Sequence, residues 1–284
     1  MSPAALIFLL ASLTPASFLS DHSDTPLVQG VQRHDANISD LHVFIRNGRL
    51  VLSVATNDAI PVGVSQYLFP SDLSIKIFID NDSAVAFSDP VALATYGGTI
   101  LQPSHIQQDV TFTVTFDEQG VAHLTSSGLP GGVNNPDIQF YSGLRDDPFI
   151  RGPRIGRNSA AVVIELPLSA VLDGQTTLLV WSTTQVEGGD QAADLAGRSL
   201  RSMFPENAAL NPTKPKHHQK QLGMTPDVII YDTSRPAAFP NGRELVDDVV
   251  DLVGHPGILM SDAPFPTAND LPFLPAFPYL AAPH

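Results

Sequence analysis

The sequence predicts a mainly β protein: an antiparallel β-sandwich or barrel-like domain with one or two short helices and a Pro-rich C-terminal strap. Three observations predict this class. Short apolar segments are rich in β-branched and aromatic residues, turn signals separate them, and 25 prolines and 20 glycines interrupt long helices. This spacing is typical of antiparallel all-β domains rather than of repeated strand–helix–strand units. We therefore expect residues 21–284 to form a single β-rich domain, and 43% hydrophobic content is ample for its core.

The predicted strands follow one another at short intervals. The first two, LHVFI and RLVLSVAT, flank Asn47-Gly48, which is a strong hairpin signal. The others in chain order are LSIKIFID (73–80), VTFTVTF (110–116), VAHLTS, IQFYSGL, AAVVIELPL and TTLLVWSTT. We expect Trp181, in the last of these strands, to lie in the core.

Two segments are predicted to be helical. One lies near AADLAGRSLRSMF, and the other begins at Asn241 as a candidate N-cap, with Glu244 three residues later as in a capping box. Gly254 and Pro256 would end the second helix. The remainder of the chain, rich in Pro, Phe and Leu, is predicted to wrap over the domain as an extended strap.

The second helix would be amphipathic. At 3.6 residues per turn its leucines and valines share one side, and Glu244, Asp247, Asp248 and Asp251 gather on the other. Four like charges on one face repel one another. The sequence leaves three interpretations open: a solvated face, a structural pairing with an arginine, or a cation site. The arginines considered for the pairing are Arg243, Arg145 and Arg154.

Residues 1–20 are predicted to be a signal peptide. The apolar stretch 4–13 is too short to span a bilayer and has the length of a signal-peptide core, although no Lys or Arg precedes it. We therefore expect a periplasmic or secreted protein. No later segment approaches about 20 uninterrupted apolar residues, so no transmembrane span is predicted.

Charge and composition exclude several classes of function. A formal net charge of −14 repels phosphate backbones, so nucleic acid is not an expected partner. The chain has no cysteine, which excludes disulfides, thiolate zinc sites, iron–sulfur clusters and thiol nucleophiles. The sequence motifs of serine hydrolases, zinc proteases and nucleotide-binding loops are also missing.

Further candidate residues lie on strands and turns. Asp40 and His42 are two residues apart on a predicted strand and therefore share a face, which can bring two ligands together, although His42 can equally pack in the core. Arg145, Asp146 and Asp147 form a predicted turn. There an arginine beside two acids can fix a loop or bind a ligand.

Six stretches, taken together and in order, resemble the bacterial family of domain of unknown function 4331. They cover most of residues 21–284. The stretches are DHSDTPLV (21–28), ANISDLHVFI (36–45), PSHIQQDVTFTVTF (103–116), FYSGLRDDPF (140–149), TSRPAAFPNGRELVDDVVD (233–251) and FPYLAAPH (277–284).

The resemblance implies a secreted or envelope-associated β protein with no agreed enzymatic activity. His22 matches the family's opening histidine, and its flanking acids suit a metal or haem ligand. The family's acidic loop corresponds here to Asp80-Asn81-Asp82. It lacks the glycine and later acids of a calcium loop, so it is either a weak cation site or a strand-ending turn.

The sequence favours a non-catalytic ligand-binding, cation-binding or structural module over an enzyme. The sequence does not identify a cofactor, and a divalent cation is the one candidate; the expected partner is an unknown small molecule, a cation or an envelope protein. The candidate metal ligands are Asp40, Asp80, Asp82, Asp247, Asp248 and Asp251. The candidate ligand-binding residues are His22, Arg145, Asp146 and Asp147.

Two alternatives remain open. A carboxylate-dependent hydrolase would need two aspartates facing a shared pocket. A haem-binding electron-transfer subunit would need an axial ligand. The hydrolase candidates are Asp40, Asp146, Asp147, Asp247 and Asp248; the axial candidates are His22, Met203, Met224 and Met260.

Overall fold

Two antiparallel sheets stack face to face in the computed structural model, which describes residues 33–150, 156–189, 192–202, 204–253 and 267–284. The strands are β1 (Ile38–Arg46), β2 (Arg49–Pro61), β3 (Leu73–Asp80), β4 (Val85–Ala86), β5 (Thr99–Ile100), β6 (Val110–Phe116), β7 (Ala122–Ser127), β8 (Gln139–Asp146), β9 (Arg157–Pro167), β10 (Thr177–Val186), β11 (Asp194–Ala196) and β12 (Ile229–Asp232). The first sheet has the order β1-β2-β9-β8, and the second has the order β11-β10-β3-β6-β7 with β12 also paired to β10. The predicted mainly antiparallel β class is confirmed.

Alternating side chains on the two sheets form the main core. From the first sheet, Leu41 and Val162 point inward, and Ile77 and Phe112 meet them from the second; all are fully buried. The β1–β2 hairpin follows the predicted turn, because Asn47 and Gly48 both adopt a positive φ, at 51° and 74°. A turn with positive φ at both central residues has a backbone twist that matches the right-handed twist of the two strands it joins.

Residues 81–109 cover the outer face of the second sheet. This segment contains the β4–β5 ribbon and helix α1 (Pro90–Tyr96), which begins where the Asp89 carboxylate accepts hydrogen bonds from the Val91 and Ala92 amides. Beneath it, Trp181 stacks on Phe78 at 5.3 Å between ring centroids. Trp181 is 3% exposed, so its predicted core position is confirmed.

The described part of the C-terminal segment covers the outer face of the first sheet. Tyr279 and Leu280 are buried against Phe44, Val51 and Val163, which point away from the main core. The rest of the predicted strap, residues 256–266, lies outside the described residues.

The helix expected near AADLAGRSLRSMF is wrong for the described residues of that stretch. They form the short strand β11 followed by turns, and Leu200 has a φ of 58°, which an α-helix does not contain. Apolar residues here are buried by tertiary contacts and not by one helical face.

The second predicted helix is much shorter than expected. Only α3 (Val249–Val253) is helical. Asn241 does not cap it, because its side chain accepts a hydrogen bond from the Asp232 amide and donates to the carbonyl oxygens of Asp232 and Pro236. The amide of Gly242 donates to the carbonyl oxygen of Ile230, which holds the chain extended at the point where the helix was expected to start.

The remaining helical segments are short. Helix α2 (Pro215–His217) continues into a wider turn, His218–Leu222, and 3-10 turns lie at His34–Ala36, Pro103–His105, Leu168–Ala170 and Pro205–Leu210. None of the helices in the described ranges has the length and apolar character needed to cross a membrane.

Candidate metal centre

Asp146, at the end of β8, lies beside Asp270 and His284. The imidazole Nε2 of His284 is 3.2 Å from Oδ1 of Asp146 and 3.3 Å from Oδ2 of Asp270. One ligand atom from each of the three residues lies within 4.8 Å of the other two. The chain therefore brings one nitrogen and two carboxylate oxygens to a common point.

The C-terminal segment reaches this point because the end of the β8–β9 hairpin holds it. Asp146 faces Asn158 across the hairpin, and the Asn158 side-chain oxygen accepts a hydrogen bond of 2.9 Å from the amide of His284. The amide of Asp146 donates to the carbonyl oxygen of Ala281, and the amide of Gly63 donates to the carbonyl oxygen of His284. These bonds place the imidazole over the end of the first sheet.

Hydrogen bonds also orient both carboxylates. The Asn269 side-chain amide donates to Oδ2 of Asp146, which leaves Oδ1 directed at the imidazole. The backbone amide of Gly156 donates to Oδ2 of Asp270 at 3.2 Å. Partners of this kind fix the orientation of metal ligands in known sites.

The contacts fit a coordination shell better than a hydrogen bond. A charged imidazole–carboxylate hydrogen bond is about 2.7–2.9 Å long, and both contacts here exceed that length. In the described part of the chain, Nε2 of His284 makes no contact of hydrogen-bond geometry. Ligands at about 2.0–2.2 Å from a tetrahedral ion are separated by about 3.3–3.6 Å, close to the two observed distances.

The group is only partly enclosed. The side chain of Asp146 is 2% exposed, whereas those of His284 and Asp270 are 18% and 27% exposed. A cation could therefore be reached from solvent, and a water molecule could complete its shell. The mixed nitrogen and oxygen donors suit zinc, manganese or iron better than calcium, which prefers oxygen alone.

Asp80 and Asp82 meet a third carboxylate, that of Asp109. Asp80 ends β3, and its oxygens accept hydrogen bonds from the amides of Asp82, Ser83 and Gln107 and from the Ser83 hydroxyl. Burial, followed by the neighbouring acids, raises the pKa of Asp109. The bonds to Asp80 are those of a turn that ends a strand, and the prediction of a weak cation site at Asp80 and Asp82 stays a prediction.

Asp40 is paired with Arg243. Its Oδ1 accepts a hydrogen bond of 2.7 Å from Nη2 of Arg243, and the two side chains are 0% and 1% exposed. Breaking a buried pair of this kind by removing one partner is strongly destabilising. His42, on the same face of β1, is also buried. Within the described residues Asp40 belongs to no group with metal-site spacing, and the expectation that it is a cation ligand stays a prediction.

Asp247 and Asp248, near α3, accept hydrogen bonds from backbone amides. Asp247 accepts hydrogen bonds from the amides of Phe239 and Glu244, and Asp248 accepts one from Asp251 at the start of the helix. Asp248 is buried, whereas Asp251 is exposed. Within the described residues, none of these three aspartates belongs to a group with metal-site spacing. The helix that would align them on one face is not formed before residue 249, and their assignment as cation ligands stays a prediction.

The ion pairs near α3 differ from the arginine pairing considered for the acidic residues of the predicted helix. Glu244 pairs with Arg46 at 2.9 Å, and Arg243 pairs with Asp40. The guanidinium of Arg145 lies over the ring of Tyr141, 4.3 Å from its centroid, and not against the two neighbouring acids.

Asp147 is buried, and its Oδ1 accepts a hydrogen bond from the amide of Phe149, which stabilises the turn after β8. The described cavities of about 510 and 440 Å³ are lined by none of the five aspartates proposed for a hydrolase. His22, Arg154, Met203 and Met260 lie outside the described residues.

Sequence reasoning missed Asp109, Asp270 and His284. The first two are single acids in loops, and His284 was included in a family stretch without being singled out. Only the tertiary contact of the C-terminal segment with β8 and β9 brings Asp270 and His284 to Asp146. A single sequence carries no signal for that contact.

Comparisons of the chain with family models, curated proteins and solved structures gave no match. The resemblance to family 4331 therefore stays a prediction that depends on the six quoted stretches.

Proposed function

We propose that this protein is an exported, non-catalytic β module that binds a divalent cation through Asp146, Asp270 and His284. The observation that supports the proposal is a single imidazole nitrogen facing two carboxylate oxygens at 3.2 and 3.3 Å. These distances match the edges of a tetrahedral coordination shell.

The cation would have a structural effect as well as being bound. It would connect the end of β8 to residues 270 and 284, which belong to the segment that covers the outer face of the first sheet. Binding to the folded state alone stabilises a protein, by about 2.7 kcal/mol when the free ligand is at 100 times its Kd. We therefore expect the C-terminal segment to be held more firmly when the site is filled.

Calorimetry on chelator-treated protein tests the proposal. Zinc or manganese should bind with a stoichiometry of one and more tightly than calcium. Asp270→Asn and His284→Ala should each weaken binding at least 10-fold, in the range expected for loss of a ligand or its support. Cobalt should give the intense visible absorption of a tetrahedral ion with a nitrogen ligand.

Asp117→Asn is the matched control, because Asp117 also faces a histidine, His123, at 3.4 Å, and among the described residues this pair belongs to no three-residue group with metal-site spacing. This variant should bind metal like the unmodified chain. Absence of binding for zinc, manganese and cobalt, or unchanged binding in His284→Ala, would refute the proposal.

A further inference from the structure

A cavity of about 510 Å³ lies where four separate segments meet: the end of α1, the turns after β11, the stretch around residue 239, and α3. Its walls are largely aromatic and aliphatic, with Tyr96, Leu200, Phe204, Phe239 and Val253 among them. Two arginines, Arg198 and Arg201, also line it. Its volume lies within the range of roughly 300–1,000 Å³ found for small-molecule sites.

Arg198 is buried at this cavity, and its guanidinium has an unsatisfied hydrogen-bond donor within the described part of the chain. The residue is 9% exposed, and among the described residues its Nε has no hydrogen-bond partner. Its guanidinium lies 5.0 Å from the ring centroid of Phe239 and 5.5 Å from that of Tyr96. Such stacking covers the face of the guanidinium but leaves the N–H donors at its edge available.

Arg201 places a second cation on the same aromatic ring. Its carbon Cζ is 4.9 Å from the Tyr96 centroid, and its side chain donates to the carbonyl oxygens of Thr225 and Pro226. Carbonyl oxygens fix the orientation of this guanidinium but do not neutralise its charge.

One carboxylate, Asp227, lies beneath the two arginines. Gly197 packs so tightly against this residue that an added Cβ would lie 2.2 Å from the Asp227 carbonyl oxygen, and Oδ1 of Asp227 accepts a hydrogen bond from the backbone amide of Arg198. Among the described residues, no ion pair joins Asp227 to either guanidinium. The two buried guanidinium groups therefore lie near an acid whose Oδ1 contacts a backbone amide and not a guanidinium.

The environment of Arg198 is unfavourable for its own charge. Burial, followed by the nearby charge of Arg201, lowers the pKa of Arg198 to about 10. A buried guanidinium with unused donors is costly for a protein to keep. A negatively charged ligand would remove most of that cost.

We infer that this cavity binds a small organic oxyanion, a carboxylate or phosphate ester with an aromatic or aliphatic body. The edge of Arg198 would bind the anionic group, since guanidinium groups form paired hydrogen bonds with carboxylate and phosphate. The apolar walls would hold the rest of the molecule. The site is separate from the proposed metal centre, with which it shares no residue, and does not depend on it.

Titration calorimetry of the full chain with benzoate, phenyl phosphate and inorganic phosphate tests the inference. Benzoate or phenyl phosphate should bind with a stoichiometry of one and at least 10-fold more tightly than inorganic phosphate, because only the organic anions use the apolar walls. Arg198→Met should weaken this binding at least 10-fold. Arg198→Lys, which keeps the charge but loses the paired donors, should weaken it less.

Lys216→Met is the control for net charge, because Lys216 is exposed and does not line the cavity. It should leave binding unchanged. Thermal unfolding without ligand supplies a second readout: Arg198→Met should be at least as stable as the unmodified chain, since it removes a buried charge. The inference would be overturned if neither benzoate nor phenyl phosphate binds, or if Arg198→Met is markedly less stable than the unmodified chain.

Discussion

Replacing Arg243 by Met should strongly destabilise the protein. Arg243 is the largest fully buried side chain among the described residues, and its pairing with Asp40 lies at the outer edge of β1, where Val43 and Arg243 also exchange two backbone hydrogen bonds. Removing one partner of a buried ion pair leaves a charge in a poorly solvated environment, at a cost of about 3–5 kcal/mol. At roughly 2–4 °C per kcal/mol for a domain of this size, Tm should fall by roughly 6–20 °C.

Urea unfolding of a double-mutant cycle measures this cost. Asp40→Leu combined with Arg243→Met removes both charges and should recover most of the stability, because apolar replacement of a whole buried pair is often neutral or favourable. Arg46→Met is the matched control, since it breaks the more exposed pair with Glu244 and should cost less than about 1 kcal/mol. A loss below about 1 kcal/mol in Arg243→Met would show that the pair is solvated and refute the reasoning.

Two other substitutions test neighbouring parts of the structure. Tyr279→Phe removes the hydroxyl that donates to the buried Glu165 carboxylate and should cost about 1–3 kcal/mol in urea unfolding; an unchanged midpoint would contradict this contact. Burial lowers the pKa of His218, whose Nδ1 accepts the Asp227 amide, so folding favours the neutral imidazole. The contribution of neutral His218 to the free energy of unfolding should therefore be fully present above about pH 6.5. It should decrease below that pH, because the unfolded state takes up the proton more readily. In His218→Gln this decrease should be smaller in denaturation curves at roughly pH 7 and 5, and an equal decrease in both proteins would exclude His218 as its source.

The sheet class could be predicted because it depends on local patterns. Strands with a period of two, such as residues 110–116, show their inward and outward faces directly in the sequence, and Asn47-Gly48 specifies the hairpin that it forms. Each of these signals extends over only a few residues. The strand and the hairpin form at the positions that these patterns predict.

The helices and the candidate site could not be predicted as well, because long-range contacts decide them. Residues 241–248 satisfy the local rules for a helix, yet Asn241 and Gly242 form hydrogen bonds with β12 instead. Asp146 was identified as a candidate, but its partners Asp270 and His284 lie at the far end of the chain. No periodicity links such distant residues, so a single sequence predicts the acid and not the site.

Both proposed sites lie where peripheral segments cover the sandwich, and not between its sheets. The space between the sheets is filled mainly by tightly packed aliphatic and aromatic side chains. The metal centre instead joins the C-terminal segment to β8, and the arginine cavity lies between α1, α3 and the turns after β11. It follows that ligand binding should stabilise these outer segments selectively. In hydrogen exchange, added cation should protect residues 267–284 and added organic anion should protect residues 198–202, while exchange of the central strands stays unchanged.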